Sequence, residues 1–206
     1  MTPEAQRPRS IPGLSPFRTY VAPAVIGGLA VVAELSGEPG RMLLRYQREA
    51  LASGQIWRLV TGHLVHLGPS HMLMNVAALA ILALLFGQLL RPRDWFAAGL
   101  MGSLAIDGGL YWLSPEVAWY VGLSGVLHGF WAAACLHALR RRTGEGLMLT
   151  GLILLKLGYE ALIGPVPLTG AIASGPVVEI AHAYGAIGGV VSVLLIAAVD
   201  AFRRRL

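Results

Sequence analysis

The sequence predicts an all-α membrane protein, a bundle of six spanning helices, and three observations predict it. Hydrophobic residues make up 55% of the 206 and charged residues only 13%, with a mean hydropathy of +0.64, outside the range of ordinary water-soluble domains. The apolar residues fall into six runs, each near the ~20 residues that a helix needs to cross a bilayer. Arginine clusters stand at alternate junctions between the runs, which is how membrane topology is written. The net charge of +5 therefore belongs to a chain whose partner is the lipid bilayer, and nucleic acid is excluded.

In chain order, residues 1–18 carry four prolines with Arg7, Arg9 and Arg18, too polar to build a core, and are expected to form a flexible cytoplasmic tail before a helical domain over 19–206. That polar start and the lack of a small-residue cleavage site predict that the first apolar run, 20–35, stays as span one. The connection over 36–69 is too long for an ordinary loop. Within it, 41–51 mixes apolar and charged residues in a helix-like pattern and predicts a helix lying at the interface, followed by Trp57 and Arg58 at headgroup level.

Span two is expected over 70–90 with Arg91 and Arg93 at its exit, and span three over 95–113 before a short turn at 114–118. Span four covers 119–139 and ends at Arg140, Arg141 and Arg142. Span five covers 147–163, a Pro/Gly-rich loop 164–176, and span six 177–202, stopped by Arg203, Arg204 and Arg205. Eleven Lys and Arg residues fall on the side of the two termini and four in the long first loop, so the termini face the cytoplasm. The single Cys135 excludes an intramolecular disulfide and reads as a small core residue.

Most hydroxyls on membrane helices only hydrogen-bond to a carbonyl one turn back, so Ser124 is notable only for its company. Counted from the expected outer ends of spans two, four and six, Asn75, Ser124 and His182 each lie about five residues down, which at the helical rise is about 7 Å. His71 shares the Asn75 face at the i, i+4 spacing. Polar groups in a bilayer are costly, and their coincidence in depth points to function. Gly125, Gly129 and Ala133 on one span, and Ala181, Gly185 and Gly189 on another, repeat every four residues and predict close helix approach. Ser124 is then a candidate nucleophile with His182 as base, and the Ser124 N–H, Asn75 amide and His71 ring are candidate oxyanion donors.

Trp57-Arg58, His71-x-x-x-Asn75, Gly122-Leu123-Ser124-Gly125 and Ala181-His182-x-x-Gly185-x-x-x-Gly189, in this order, resemble the motifs of rhomboid intramembrane serine proteases. The resemblance implies a nucleophilic Ser124, a basic His182, and oxyanion stabilisation by His71 and Asn75, without metal or organic cofactor. Many rhomboids carry tyrosine four residues after the nucleophile, where this chain has His128. That variant and the short chain resemble the rhombosortase subfamily. It implies a bacterial inner membrane, a site facing the periplasm, and membrane-anchored substrates with a C-terminal Gly-Gly segment, a transmembrane helix and a basic tail.

His128 is read as a packing residue beside the site, or as a ring that contacts Ser124 itself and leaves the assignment of the base open between it and His182. Glu179, one turn before His182, is expected to orient it or to shape a substrate entrance together with Gly122 and Gly125. Lys156 and Glu160 form an intramembrane i, i+4 pair, which more often stabilises a bundle or lines a polar cavity than performs chemistry. Asp107 is expected to be internal and satisfied, and no spacing among His63, His66 and His137 marks a metal site. Two alternatives stay open: a rhomboid protease with other single-pass substrates, and an inactive rhomboid-like protein that binds membrane clients.

Overall fold

Two glycine-rich helix faces pressed backbone to backbone set the architecture. In the structure, a computed structural model that describes residues 16–141, 144–173 and 175–205, helix α7 (Ser124–Arg140) lies against α10 (Ile180–Arg203). A Cβ built on Gly185 would overlap the Gly125 carbonyl, and one on Gly189 the Gly129 carbonyl. Helix α6 (Pro92–Gly108) closes on the same pair, since a Cβ on Gly188 would strike the Met101 carbonyl. Lipid is as apolar as leucine and gives helices no reason to associate, so such close approach supplies the dispersion contacts that hold them.

Around this centre stand α1 (Pro16–Leu35), α5 (Pro69–Phe86) and α8 (Gly144–Leu162). Phe86, Trp95 and Phe130 pack inside the bundle, with the Trp95 and Phe130 rings edge to face at 4.8 Å. Leu84, Phe96, Leu155 and Leu195 point outward and remain exposed, as a lipid-facing sheath requires. Helix α6 starts on a reciprocal cap in which Asp94 accepts from the Arg91 N–H at 2.7 Å, and Arg93 grips Asp200 of α10 bidentately at 3.0 and 2.6 Å.

Several sequence expectations change. Of the expected tail over 1–18, residues 1–15 lie outside the described residues, and α1 already begins at Pro16. The expected interfacial helix over 41–51 is broken into α2 (Gly37–Leu44), the short strand β1 (Tyr46–Gln47) and α3 (Arg48–Ala52). Its middle is consumed by antiparallel pairing with β2 (Trp119–Tyr120), in register Tyr46 with Tyr120. For the same reason span four starts at Ser124 and not at residue 119. The loop over 164–176 contains α9 (Pro167–Ala173).

Among the described residues, three helices are long and apolar enough to cross a membrane: Pro69–Phe86, Pro92–Leu113 and Ile180–Arg203. A fourth span results if α1 and α2, bent by 118°, count as one. Length and composition therefore do not return six spans, partly because α7 has given up its first turn to β2 and keeps 17 residues.

Arg58, expected at headgroup level, is instead 5% exposed inside the first loop. With α4 (Arg58–Thr61) it donates to the carbonyls of Met42 at 3.0 Å and Arg45 at 2.7 Å, and to the Gln55 side chain at 2.8 Å. Trp57 remains half exposed, with its indole N–H on the Leu43 carbonyl at 3.3 Å. Arg48 donates to the carbonyls of Leu110, Tyr111 and Ser114, where a π-helical turn (Gly109–Leu113) ends α6 and leaves carbonyls without intrahelical partners.

Gly185→Ala is expected to cost about 1–3 kcal/mol through overpacking against α7. Gly158→Ala, where a Cβ meets nothing within 4 Å, should leave the thermal midpoint in detergent near that of the parent protein.

Candidate active site

Ser124, His182, His71 and Asn75 come together, although by a different route from equal helical depth. Ser124 is the first residue of α7, His182 the third of α10 and Asn75 the seventh of α5. Segments 119–123 and 177–179, expected to be helical, are strand, bend, turn and irregular chain. The helix N-termini converge, and the first N–H groups of α7, Ser124 among them, have no acceptor within the helix.

Ser124 Oγ lies 3.0 Å from His182 Nε2, across the α7–α10 contact. Gly125 permits this approach, since a Cβ there would sit 2.9 Å from the Ala181 carbonyl and 2.7 Å from Ile106. The other ring nitrogen of His182, Nδ1, lies 2.9 Å from Glu160 Oε2 on α8. Lys156 Nζ donates to Glu160 Oε1 at 2.7 Å, so each carboxylate oxygen has its own partner. Glu179, expected beside His182, precedes α10 as its N-cap residue without a side-chain cap bond, and the carboxylate on His182 is Glu160 instead. The sequence signal for Glu160 was its cost: a carboxylate in an apolar span calls for a reason beyond its lysine neighbour.

His128 stacks on His182, with ring centroids 4.2 Å apart and planes 20° from parallel. Its Nδ1 sits 2.7 Å from the Ser124 carbonyl oxygen, so it meets the backbone of Ser124 and not the hydroxyl. His128, Glu160 and His182 offer one metal-ligating atom each within 4.8 Å of one another. A tetrahedral zinc needs such atoms about 3.4 Å apart with converging lone pairs. Stacked rings direct their in-plane lone pairs along parallel planes, and both Glu160 oxygens are occupied, so a metal would have to dismantle the network.

The His71 ring is fixed by the Leu67 N–H, which donates to Nδ1 at 3.3 Å and leaves the proton on Nε2. That edge faces Gly122, whose φ of +119° belongs to the region glycine favours; a Cβ there would lie 2.9 Å from the His71 ring. The Asn75 amide donates to the His71 carbonyl at 3.1 Å, within its own helix. Tyr120, paired with β1, donates its hydroxyl to the Gly122 carbonyl at 2.8 Å and ties this turn to the first loop. Below that loop His63 Nε2 lies 3.3 Å from Asp107 Oδ1, both buried; Asp107 is internal as expected but not satisfied, since neither of its oxygens accepts a well-formed hydrogen bond among the described residues. His66 meets His71 edge to face at 5.0 Å; burial and this neighbour push its imidazole down to about 3, so it is neutral near pH 7.

Two cavities meet at this cluster. One of about 280 Å³ is lined by His71, Glu116, Trp119, Ser124 and Val177. The other, about 420 Å³, opens between α5 and α8–α9 with apolar walls such as Leu82, Leu85 and Trp131, and includes Lys156. Ser124 and His71 line both.

A helical bundle sheathed in exposed apolar side chains, with helices of spanning length, is an integral membrane protein. A Rhomboid domain model matches residues 53–199, most of the chain, and the chain belongs to the rhomboid family, which comprises intramembrane serine proteases. No curated protein matches the chain.

Gly122→Ala is expected to cost about 1–3 kcal/mol in backbone strain. It should also shift the imidazole NMR signals of His71 while leaving those of His137 in place.

Proposed function

We propose that this protein is an intramembrane serine endopeptidase in which Ser124 and His182 form the catalytic dyad. The observation that carries this reading is the 3.0 Å approach of Ser124 Oγ to His182 Nε2 between two cavities. Ser124 Oγ attacks the scissile carbonyl while its proton passes to His182 Nε2; the C–N bond then breaks, and the amine leaves with that proton. Water, deprotonated by the same nitrogen, resolves the acyl-enzyme. The developing oxyanion is met by the Ser124 N–H and the His71 Nε2–H, with Asn75 joining once its amide turns from the His71 carbonyl.

The apolar cavity receives a substrate segment from the bilayer, and the smaller cavity admits water and extended chain. The bundle spans the membrane six times with both termini cytoplasmic, in a bacterial inner membrane with the site toward the periplasm. The charge imbalance between the two sides supports this orientation. Substrates are membrane-anchored proteins with a C-terminal Gly-Gly segment, a spanning helix and a basic tail, as in rhombosortases. His128, stacked on His182 at the position tyrosine commonly holds, supports this specialisation.

Ser124→Ala is expected to lower kcat by about 10⁶-fold, the scale of losing a serine nucleophile. His182→Ala should leave almost nothing, whereas His128→Tyr keeps an aromatic ring over His182 and retains most turnover. Purified protein in liposomes with a single-pass substrate gives the measurement, and unimpaired cleavage by Ser124→Ala would falsify the mechanism.

Changing both substrate glycines to leucine should slow cleavage about thirtyfold. Two glycines lower the cost of unwinding a helix by about 2 kcal/mol. Equal rates for the two substrates, inserted equally, would leave the protease reading and remove the Gly-Gly preference.

A further inference from the structure

Glu160 occupies a place that a serine–histidine dyad does not require. It is 6% exposed, it stands on a third helix, and its two oxygens are divided between His182 Nδ1 at 2.9 Å and Lys156 Nζ at 2.7 Å. Holding a carboxylate there costs desolvation, which a bundle that needed only packing would avoid with leucine. We propose that Glu160 is a positioning residue that fixes the orientation and tautomer of His182, with Lys156 holding Glu160 in place, so that the site works as a Ser124–His182–Glu160 triad. This rests on the serine protease reading above.

The tautomer follows from what each atom can offer. A carboxylate paired with an ammonium has only acceptors, so the His182 nitrogen facing it, Nδ1, carries the proton. Nε2 is then left with its lone pair toward Ser124 Oγ, the state a general base needs before attack. Without Glu160 the neutral imidazole can place its proton on either nitrogen, and protonation at Nε2 abolishes the acceptor. His128, stacked on the ring face, limits tilting but does not select which nitrogen carries the proton. Glu160 supplies that remaining restraint. When the imidazolium forms during attack, its new charge faces a carboxylate at hydrogen-bond distance.

The arrangement also ties the base to the wall of the apolar cavity. Lys156 lines that cavity and is 24% exposed, while Glu160 behind it is closed off. A substrate segment entering there touches Lys156 one hydrogen bond from the carboxylate that orients the base.

The test uses the full-length protein in liposomes with two probes: a membrane-anchored Gly-Gly substrate, and a fluorophosphonate that labels the serine without any substrate segment. For Glu160→Gln the expected result is a fall in kcat of about 10² to 10⁴, the range set by loss of an orienting carboxylate, with KM within about twofold. The labelling rate per folded molecule should fall in parallel. Glu160→Asp should recover part of the rate, and Lys156→Met should lose about tenfold. Glu160→Gln turning over and labelling within threefold of the parent protein overturns the proposal. So does a rate loss in all three variants that follows only a loss of folded protein, with no difference between aspartate and glutamine. Ser124→Ala and His182→Ala separate the two readings: if they are inactive while Glu160→Gln is not, only the positioning role fails. If they cleave like the parent protein, the dyad fails with it.

Discussion

Contact between the glycine faces of α7 and α10 is the constraint on which the rest depends. Gly125, Gly129, Gly185 and Gly189 allow main chain to touch main chain, and any side chain at Gly185 or Gly189 would have to displace a carbonyl of the facing helix. In a solvent of hydrocarbon there is no hydrophobic effect to press helices together, so dispersion at this short distance carries the association. The same approach sets the Ser124 hydroxyl against the His182 ring. Stability and candidate chemistry therefore draw on one contact, and a larger residue in either stripe alters both.

The irregular first loop poses the opposite problem. Loops near a membrane carry N–H and C=O groups that lipid cannot satisfy. Here two guanidinium groups do much of that work: Arg58 inside the first loop and Arg48 at the carbonyl end of α6. Buried Arg58 and half-buried Arg48 are held by carbonyls without a carboxylate, since one guanidinium offers five donors. Gly122 and Tyr120 then link the loop to the turn that precedes Ser124, so the loop acts as a brace for Ser124.

Much of this was legible in the sequence. The runs behind α1, α5, α6, α8 and α10 show as apolar stretches, and the four-residue glycine spacing shows which faces approach. What failed was non-local. Nothing near Tyr46 or Tyr120 announces that they pair across more than seventy residues, so the helical pattern over 41–51 and the start of α7 mislead. Arg58 next to Trp57 reads as a headgroup anchor because two of its three acceptors are backbone carbonyls, which every sequence contains. Glu160 was explained locally by Lys156, and its second partner, His182, lies 22 residues away on another helix. A side chain with two acceptor atoms invites the reader to stop after finding one partner.

The brace has a consequence for how the protein is made. Arg48 finds its acceptors 62 to 66 residues later in the chain, and Gly62 accepts from the Gly122 N–H only after the segment leading into α7 has been synthesised. The first loop is thus synthesised early but has no final partners until half of the bundle has followed. Vectorial synthesis therefore completes this brace only once the segment just ahead of Ser124 has been made, before α10 exists to close on α7.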